Sequence, residues 1–162
     1  MAATKEAYRN GMARLAAAVN VITTDGPAGR GGFTASAVCS VTDDPPTLLV
    51  CLNLQSRQNE LMRANGVLCV NALPADHAPL SALFSTQGLS MDERFAPADW
   101  TTLNTGAPVL ESAVCAFDCR IVERLERGTH AVLFCEVQAV RIGDGEPLVY
   151  FGRSYRAMER PI

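Results

Sequence analysis

Apolar residues recur along this chain at two different periods, and the places where the period changes mark its predicted elements. Between Lys5 and Ala18, Tyr8, Met12 and Leu15 recur at spacings of three and four, with Val19 continuing the series and Arg9, Asn10 and Arg14 elsewhere on the wheel. This spacing predicts an opening amphipathic helix. Val19 to Thr24 then turns to β-branched residues, Asp25 to Gly32 is turn-rich, and Gly32 to Val41 follows as a second strand, so the two strands are predicted to form a hairpin. Prolines cannot donate to a central ladder, so Asp43-Asp-Pro-Pro46 ends that strand, and the nearly all-apolar run Thr47 to Asn53 is predicted as a strand buried on both faces. Ser56 is placed to cap a helix over Arg57 to Asn65 that stops at Gly66.

Val67 to Leu73 reads as another strand, and Asp76 is predicted to cap a short helix containing Leu80, Leu83 and Phe84. Ser85 to Pro108 shows no regular period; a stretch of that length in a compact domain suggests a functional lid or a segment packed on a partner subunit. Beyond it, Ala113, Cys115, Phe117, Cys119, Ile121 and Leu125 alternate with a polar face that includes Asp118, Arg120 and Arg124. Glu126-Arg-Gly128 turns the chain, Ala131 to Ala139 repeats the alternation, and Gly143-Asp-Gly145 turns it again before Leu148-Val-Tyr-Phe151. Six or seven strands joined mostly by short turns, with two or three small helices, predict a mainly β fold built on an antiparallel barrel.

One strand is unlike a structural edge. In Gly-Phe-Thr-Ala-Ser-Ala-Val-Cys-Ser-Val, residues 32–41, an unbroken strand would place Thr34, Ser36 and Ser40 on one face and Phe33, Ala35, Ala37, Cys39 and Val41 on the other. Small residues and neutral hydroxyls let a flat polar ligand lie close to the backbone. A bulge near Val38 would break the alternation and shift the contact from hydroxyls to backbone amides.

Composition narrows the function classes. At 162 residues the chain fits one domain spanning 1–162, and a net charge of −3 with no Lys/Arg-rich run gives nothing to neutralise a nucleic acid backbone. The first ten residues contain no apolar stretch and no uninterrupted run is long enough to span a bilayer, so a cytoplasmic protein with no membrane partner is expected. Six cysteines, at 39, 51, 69, 115, 119 and 135, lie in apolar runs without a Cys-x-x-Cys pair and are read as buried, reduced thiols, not metal ligands. Gly26, Gly29, Gly31 and Gly32 have neither dinucleotide-binding nor P-loop spacing and are read as turn residues. No Gly-x-Ser-x-Gly or His-Glu-x-x-His occurs, nothing in the sequence points to Ser/His/Asp hydrolysis, and His77 is read as structural or solvated. What is left is a binding constellation: the hydroxyl strand, the end of the Cys51-Leu-Asn53 strand, and Ser56 with Arg57 at a helix start whose free N–H groups attract an anion. Such a set suits a flat heterocycle with a phosphate tail.

Residues 32–53, Gly-Phe-Thr-Ala-Ser-Ala-Val-Cys-Ser-Val-Thr-Asp-Asp-Pro-Pro-Thr-Leu-Leu-Val-Cys-Leu-Asn, resemble the flavin-binding signature of the small flavin reductases that serve two-component monooxygenases. The resemblance continues through Ala18-Val-Asn-Val-Ile-Thr-Thr24, Leu68-Cys-Val-Asn71, Met91-Asp-Glu-Arg-Phe95, Gly128-Thr-His130 and Leu148-Val-Tyr-Phe151, in family order and over nearly the whole chain. It implies a split β-barrel homodimer that binds FMN or FAD, reduces it with NADH or NADPH, and supplies the product by diffusion to a flavin-dependent monooxygenase. It further implies that Thr34, Ala35, Ser36, Ala37, Ser40 and Val41 line the isoalloxazine and ribityl region, with Cys51, Leu52 and Asn53 beside them, Ser56 and Arg57 at the phosphate and Phe84 packed near the flavin. By the same resemblance His130 lies at the nicotinamide, sharing a strand face with Val132, Phe134, Glu136 and Gln138, and Tyr155 with Arg156 closes the pocket or the dimer. Ser85-Thr-Gln-Gly88 departs from the family's tighter small-residue turn.

Hydride transfer needs two stacked rings at near-attack distance and no protein nucleophile, so the missing catalytic motifs do not argue against an enzyme. The alternatives are a flavin-binding electron carrier or sensor on the same barrel without a nicotinamide site, and a barrel that serves only for interaction.

Overall fold

The structure is a computed structural model that describes residues 2–158. In chain order its elements are α1 (Lys5–Met12), β1 (Ala17–Ala18), β2 (Asn20–Thr24), β3 (Gly31–Ala35), β4 (Val38–Asp43), β5 (Pro46–Asn53), α2 (Arg57–Asn65), β6 (Val67–Ala72), α3 (Ala78–Ser85), α4 (Met91–Phe95), β7 (Trp100–Thr102), β8 (Pro108–Leu110), β9 (Cys115–Arg127), β10 (His130–Ile142), β11 (Leu148–Phe151) and β12 (Ser154–Ala157). The fold is mainly β, and every strand pairing is antiparallel. Among the described residues no helix is long and apolar enough to cross a membrane.

Seven strands form one sheet in the order β3-β2-β6-β9-β10-β5-β4, flanked by the small sheets β1-β11-β12 and β7-β8. Its two edges, β3 and β4, are consecutive in the chain and separated only by Ser36 and Ala37. Laid flat, the edges would stand about 29 Å apart. Three Cα steps reach at most about 11 Å, so the sheet has to curl until its edges approach. At the join, the Cys51 N–H donates to the Ala37 carbonyl at 3.0 Å. The stretch predicted as one strand over 32–41 is therefore two strands with different partners, β3 on β2 and β4 on β5.

Curling produces two apolar clusters. Ile22, Leu48, Val50, Leu52, Met62, Leu68, Val70 and Leu133 fill one, while Val21, Leu73, Leu80, Phe84, Phe95, Val109, Leu110 and Leu148 fill the other. Adjacent residues of a strand face opposite sides, so Val21 and Ile22 place β2 between the clusters, and all five of its residues are buried. β5 differs from its prediction: Leu48, Val50 and Leu52 are buried, but Leu49 and Cys51 are half-buried and Asn53 is exposed. This chain covers only one of its faces.

Other expectations also need correction. α1 ends at Met12 and buries nothing; Tyr8, Met12 and Leu15 are exposed, and Ala17-Ala18 pairs with β11 instead of continuing the helix. Ser85 to Pro108 is ordered by local polar contacts that no hydrophobic period reveals. Ser90 and Glu93 form a capping box on α4, the Arg94 guanidinium donates to the Phe84 and Thr86 carbonyls at 2.9 and 2.7 Å, and the Trp100 indole N–H donates to the Phe95 carbonyl at 3.0 Å. Asp118, expected on an outward polar face, is fully buried and accepts from the N–H and the hydroxyl of Thr105. Asp76 does not cap α3. His77 holds the N-cap position without a side-chain cap bond, and the Asp76 carboxylate pairs with the His77 ring, whose hydrogen bond holds it below the usual carboxylate range.

All six cysteines are free. Burial raises the thiols of Cys69, Cys119 and Cys135, the last to about 12. Cys39, expected to be buried, is exposed.

Candidate functional site

Of the residues singled out by sequence, those on β3, the Ser36-Ala37 link, the end of β5 and the start of α2 lie around the join of the two sheet edges, whereas Ser40 and Val41 lie farther along β4 and Phe84 lies buried on α3. Thr34 on β3 is half-buried, and its hydroxyl donates to the Ser81 carbonyl on α3 at 2.6 Å. The Ser81 hydroxyl in turn lies 2.9 Å from the Tyr155 hydroxyl on β12. One buried serine thus ties the β3 strand to the C-terminal hairpin, and no sequence signal marked it, because a serine inside an apolar helix reads as a neutral core position. Three residues on from Ser81, Phe84 is 1% exposed and packs edge-on against Phe95 at 5.1 Å. A Cβ added to Gly32 would stand 2.7 Å from the Phe84 ring. Phe84 therefore lies behind the backbone of β3 and reaches the surface strip only through Gly32.

Ser36 and Ala37, between the edges, are exposed, and Ala35 is half-buried. Ser40 pairs with Leu48, and the register shifts between Ser40 and Thr42, which makes Val41 an exposed bulge residue. The break in the strand thus falls at Ser36-Ala37, the bulge falls at Val41, and the three hydroxyls do not share one strand face. Ser40 opposes a residue five positions from Asn53, so it stands about 17 Å along β5 from the rim that Asn53 occupies.

On that rim the end of β5 supplies Cys51, half-buried with its thiol raised by burial, the buried Leu52, and the exposed Asn53. Asn53 organises the turn into α2: its side-chain oxygen accepts from the Gln55 N–H at 2.9 Å and its carbonyl from the Ser56 N–H at 3.0 Å. Ser56 caps α2 as expected, accepting from the Gln58 N–H at 3.2 Å, and Gly66 ends it with φ 68°. Gln58 then pins the helix to the sheet by accepting from the Gly32 N–H at 2.8 Å. Arg57, the first helical residue, is exposed beside the amides that α2 leaves without intrahelical acceptors.

His130 opens β10 directly opposite Asn53, so the two side chains share a face, as do Cys51 and Val132 two residues away. The His130 ring is exposed, with Nδ1 2.9 Å from the Thr129 hydroxyl, and the Thr129 carbonyl accepts from the Leu54 N–H at 3.0 Å. Val132, Phe134, Glu136 and Gln138 are all half-buried along the same strand.

The result is an open strip running from Tyr155 and Thr34 through Ser36-Ala37 to Cys51, Asn53 and His130, with Ser56 and Arg57 at one side. Neutral donors and acceptors dominate it, small side chains leave its backbone approachable, and a helix N-terminus supplies a place for an anion. A cavity of about 500 Å³ lies elsewhere, lined by Asn10, Arg14, Phe151, Arg153 and Arg156 among others. There the Gly152 N–H donates to the Ala13 carbonyl, the residue that caps the C-terminus of α1, and the Arg153 guanidinium donates to Asn10 Oδ1 at 2.6 Å. These arginines face the negative pole of a helix. Among the described residues no group of His, Cys, Asp and Glu could hold a metal ion.

Comparison with known proteins gives the family. Residues 12–159 match the model of the flavin reductase like domain. The FMN reductase (NADH) RutF of Variovorax paradoxus is 58% identical over 158 residues, which cover 97% of this chain and 87% of the relative. Among solved structures, one from Haemophilus somnus assigned as a flavin reductase is 46% identical with a TM-score of 0.92, covering 96% of this chain and all of its own. The NADH:FAD oxidoreductase SgcE6 of Streptomyces globisporus, solved with NAD and FAD fragments, is 25% identical with a TM-score of 0.88 over 96% of this chain and 93% of its own. Sequence and fold place this chain in the flavin reductase like domain family.

Proposed function

We propose that this chain is an NADH-dependent flavin reductase acting on FMN, with its site on the strip at the join of β3, β4 and β5. The observation that carries the reading is the likeness over 97% of the chain to a relative named as an NADH-dependent FMN reductase, and a strip of neutral, partly exposed side chains beside the N-terminus of α2 supports it. The small residues Ala35, Ser36 and Ala37 suit close approach of a planar ring to backbone, and Ser56-Arg57 at the start of α2 suits its phosphate.

When bound, the flavin supplies the hydride acceptor and the nicotinamide the donor. Backbone N–H groups of the 35–37 stretch and the Ser36 hydroxyl would hold the ring and stabilise the negative charge it gains, whereas Thr34, its own proton committed to the Ser81 carbonyl, offers its oxygen only as an acceptor for a ring N–H. Cys51, Leu52 and Asn53 form the adjoining rim. His130 positions the nicotinamide carboxamide and Tyr155 bounds the opposite end. Phe84 acts from behind, through Gly32. Ser40 and Val41, about 17 Å along β5 from the phosphate end, lie outside the span from ring to phosphate and take no part in this reading.

In this reading the curled sheet is a split barrel and the working unit a homodimer. The half-covered face of β5 and the exposed Val122, Leu125, Val140 and Ile142 supply apolar surface for a second copy. Moderate flavin affinity fits a cytoplasmic reductase whose product diffuses to a monooxygenase. The test is loss of nicotinamide absorbance on mixing protein, NADH and free FMN. Turnover supports the reading, no turnover with either NADH or NADPH overturns it, and tight stoichiometric flavin without nicotinamide oxidation would identify an electron carrier instead.

A further inference from the structure

Away from the flavin strip, three side chains form a hydrogen-bonded row. Asp76 Oδ1 lies 2.7 Å from His77 Nδ1, and His77 Nε2 lies 2.8 Å from Ser112 Oγ. A carboxylate only accepts, so in the neutral ring Nδ1–H donates to Asp76 and Nε2 accepts the Ser112 proton. Nucleophile, base and orienter are connected as in hydroxyl-based acyl transfer.

The surroundings hold that row in place. His77 stands at the N-cap of α3 but makes no cap bond with its ring, so both nitrogens are committed to Asp76 and Ser112. Its side chain is 23% exposed, whereas that of Asp76 is 84% exposed. Ser112 lies on the turn between β8 and β9. That turn is tied down by the Glu111 N–H on the Asp99 carbonyl at 3.0 Å, by the Ala113 N–H on the Leu110 carbonyl at 3.1 Å, and by the Arg141 guanidinium on the Glu111 carbonyl. Beside His77 opens a cleft of about 180 Å³ walled by Pro79, Leu80, Leu83, Pro97 and Ala98. Its apolar wall suits a short uncharged acyl chain; Ser112 is not among the residues lining it and is joined to it through His77, which is. The first turn of α3 offers the N–H groups of Ala78 and Leu80, which have no intrahelical acceptor.

We propose that Asp76, His77 and Ser112 form a second site, independent of flavin reduction, at which Ser112 is acylated by activated aryl esters of short uncharged acids. Ser112 Oγ bonds to the ester carbonyl carbon while its proton passes to His77 Nε2; the bond from that carbon to the aryl oxygen breaks, and the phenol leaves with the proton from His77. Water then attacks the acyl carbon, giving a proton to His77. The carbon–Oγ bond breaks, Oγ recovers the proton, and the carboxylic acid departs. With the orienting carboxylate largely in water, turnover is slow and labelling is the more sensitive readout.

The full chain is incubated with an alkyl fluorophosphonate, which phosphonylates a serine with loss of fluoride, and the adduct is mapped by mass spectrometry. The expected result is an adduct at Ser112 that is absent in Ser112→Ala and forms about 100-fold more slowly in His77→Gln, the scale of a general base. Hydrolysis of p-nitrophenyl acetate should fall in the same order, and thermal unfolding of both variants checks that they fold. No adduct at Ser112, or an adduct whose rate is unchanged in folded His77→Gln, overturns the proposal.

Discussion

Gly32→Ala tests the placement of Phe84 behind the candidate site. The added Cβ would lie 2.7 Å from Phe84 Cε1, 3.0 Å from Cδ1 and 3.0 Å from the Ile22 carbonyl oxygen. The backbone contact cannot give, because Ile22 pairs with Phe33 in the β2–β3 ladder. The ring has little room either, since Phe95 stands 5.1 Å and Trp100 5.9 Å from its centroid. Overpacking of this kind costs about 1–3 kcal/mol, and for a chain of this length that lowers Tm by roughly 2–12 °C. Phe84→Leu removes the obstructing ring edge, so the double variant should be more stable than the sum of the two single effects predicts, by at least about 0.5 kcal/mol. Thermal and urea unfolding of the four proteins give the cycle. Gly32→Ala within error of the parent, or strict additivity with Phe84→Leu, would refute the close approach of the β3 backbone to Phe84.

Three further outcomes follow from other contacts. Asp118→Ala strands the half-buried N–H and hydroxyl of Thr105 and should cost about 1 kcal/mol or more, read from the urea midpoint; a loss below experimental error would show that the 103–108 loop does not depend on Asp118. The thiols of Cys69, Cys119 and Cys135 should resist a thiol reagent until the chain unfolds. Their folded pKa values lie above the unfolded value of 9.0, so the stability they contribute is complete below that pH and declines as pH rises through it. A urea midpoint that does not fall on the alkaline side contradicts this. Arg57→Ala should weaken FMN binding about 10-fold in fluorescence quenching while leaving riboflavin binding little changed, as expected for a group that meets only the phosphate; equal losses for both ligands would remove Arg57 from the phosphate site.

How much of this was legible in the sequence depended on whether the signal was local. α2 was placed because Ser56 and Gly66 act on their own neighbours. The β9–β10 hairpin followed from alternation on either side of Gly128. Strand pairing is long-range, however, and nothing between Gly32 and Val41 announces that its halves pair with different neighbours at opposite edges of the sheet. Ser81, Gln58 and Asp118 act through contacts 26 or 47 residues away, or 13 in the last case, and single residues of those types carry no mark of it. The helical period of α1 overran because Ala16, Ala17 and Ala18 favour a helix locally, a preference that the pairing of Ala17-Ala18 with β11 overrides. The Asp76-His77-Ser112 row escaped for the same reason as Ser81: 35 residues separate the histidine from the serine.

The central claim, a nicotinamide site beside a flavin site at the β5–β10 rim, is tested most directly by mixing the protein with FMN and NADH without oxygen and following bleaching of the flavin's visible band. Rapid bleaching is expected for the parent chain and, in His130→Ala, a rate at least about 10-fold lower at subsaturating NADH, with FMN affinity nearly unchanged. Bleaching by the parent that is equally fast in His130→Ala would take His130 out of the site, and no bleaching by the parent would contradict the function itself.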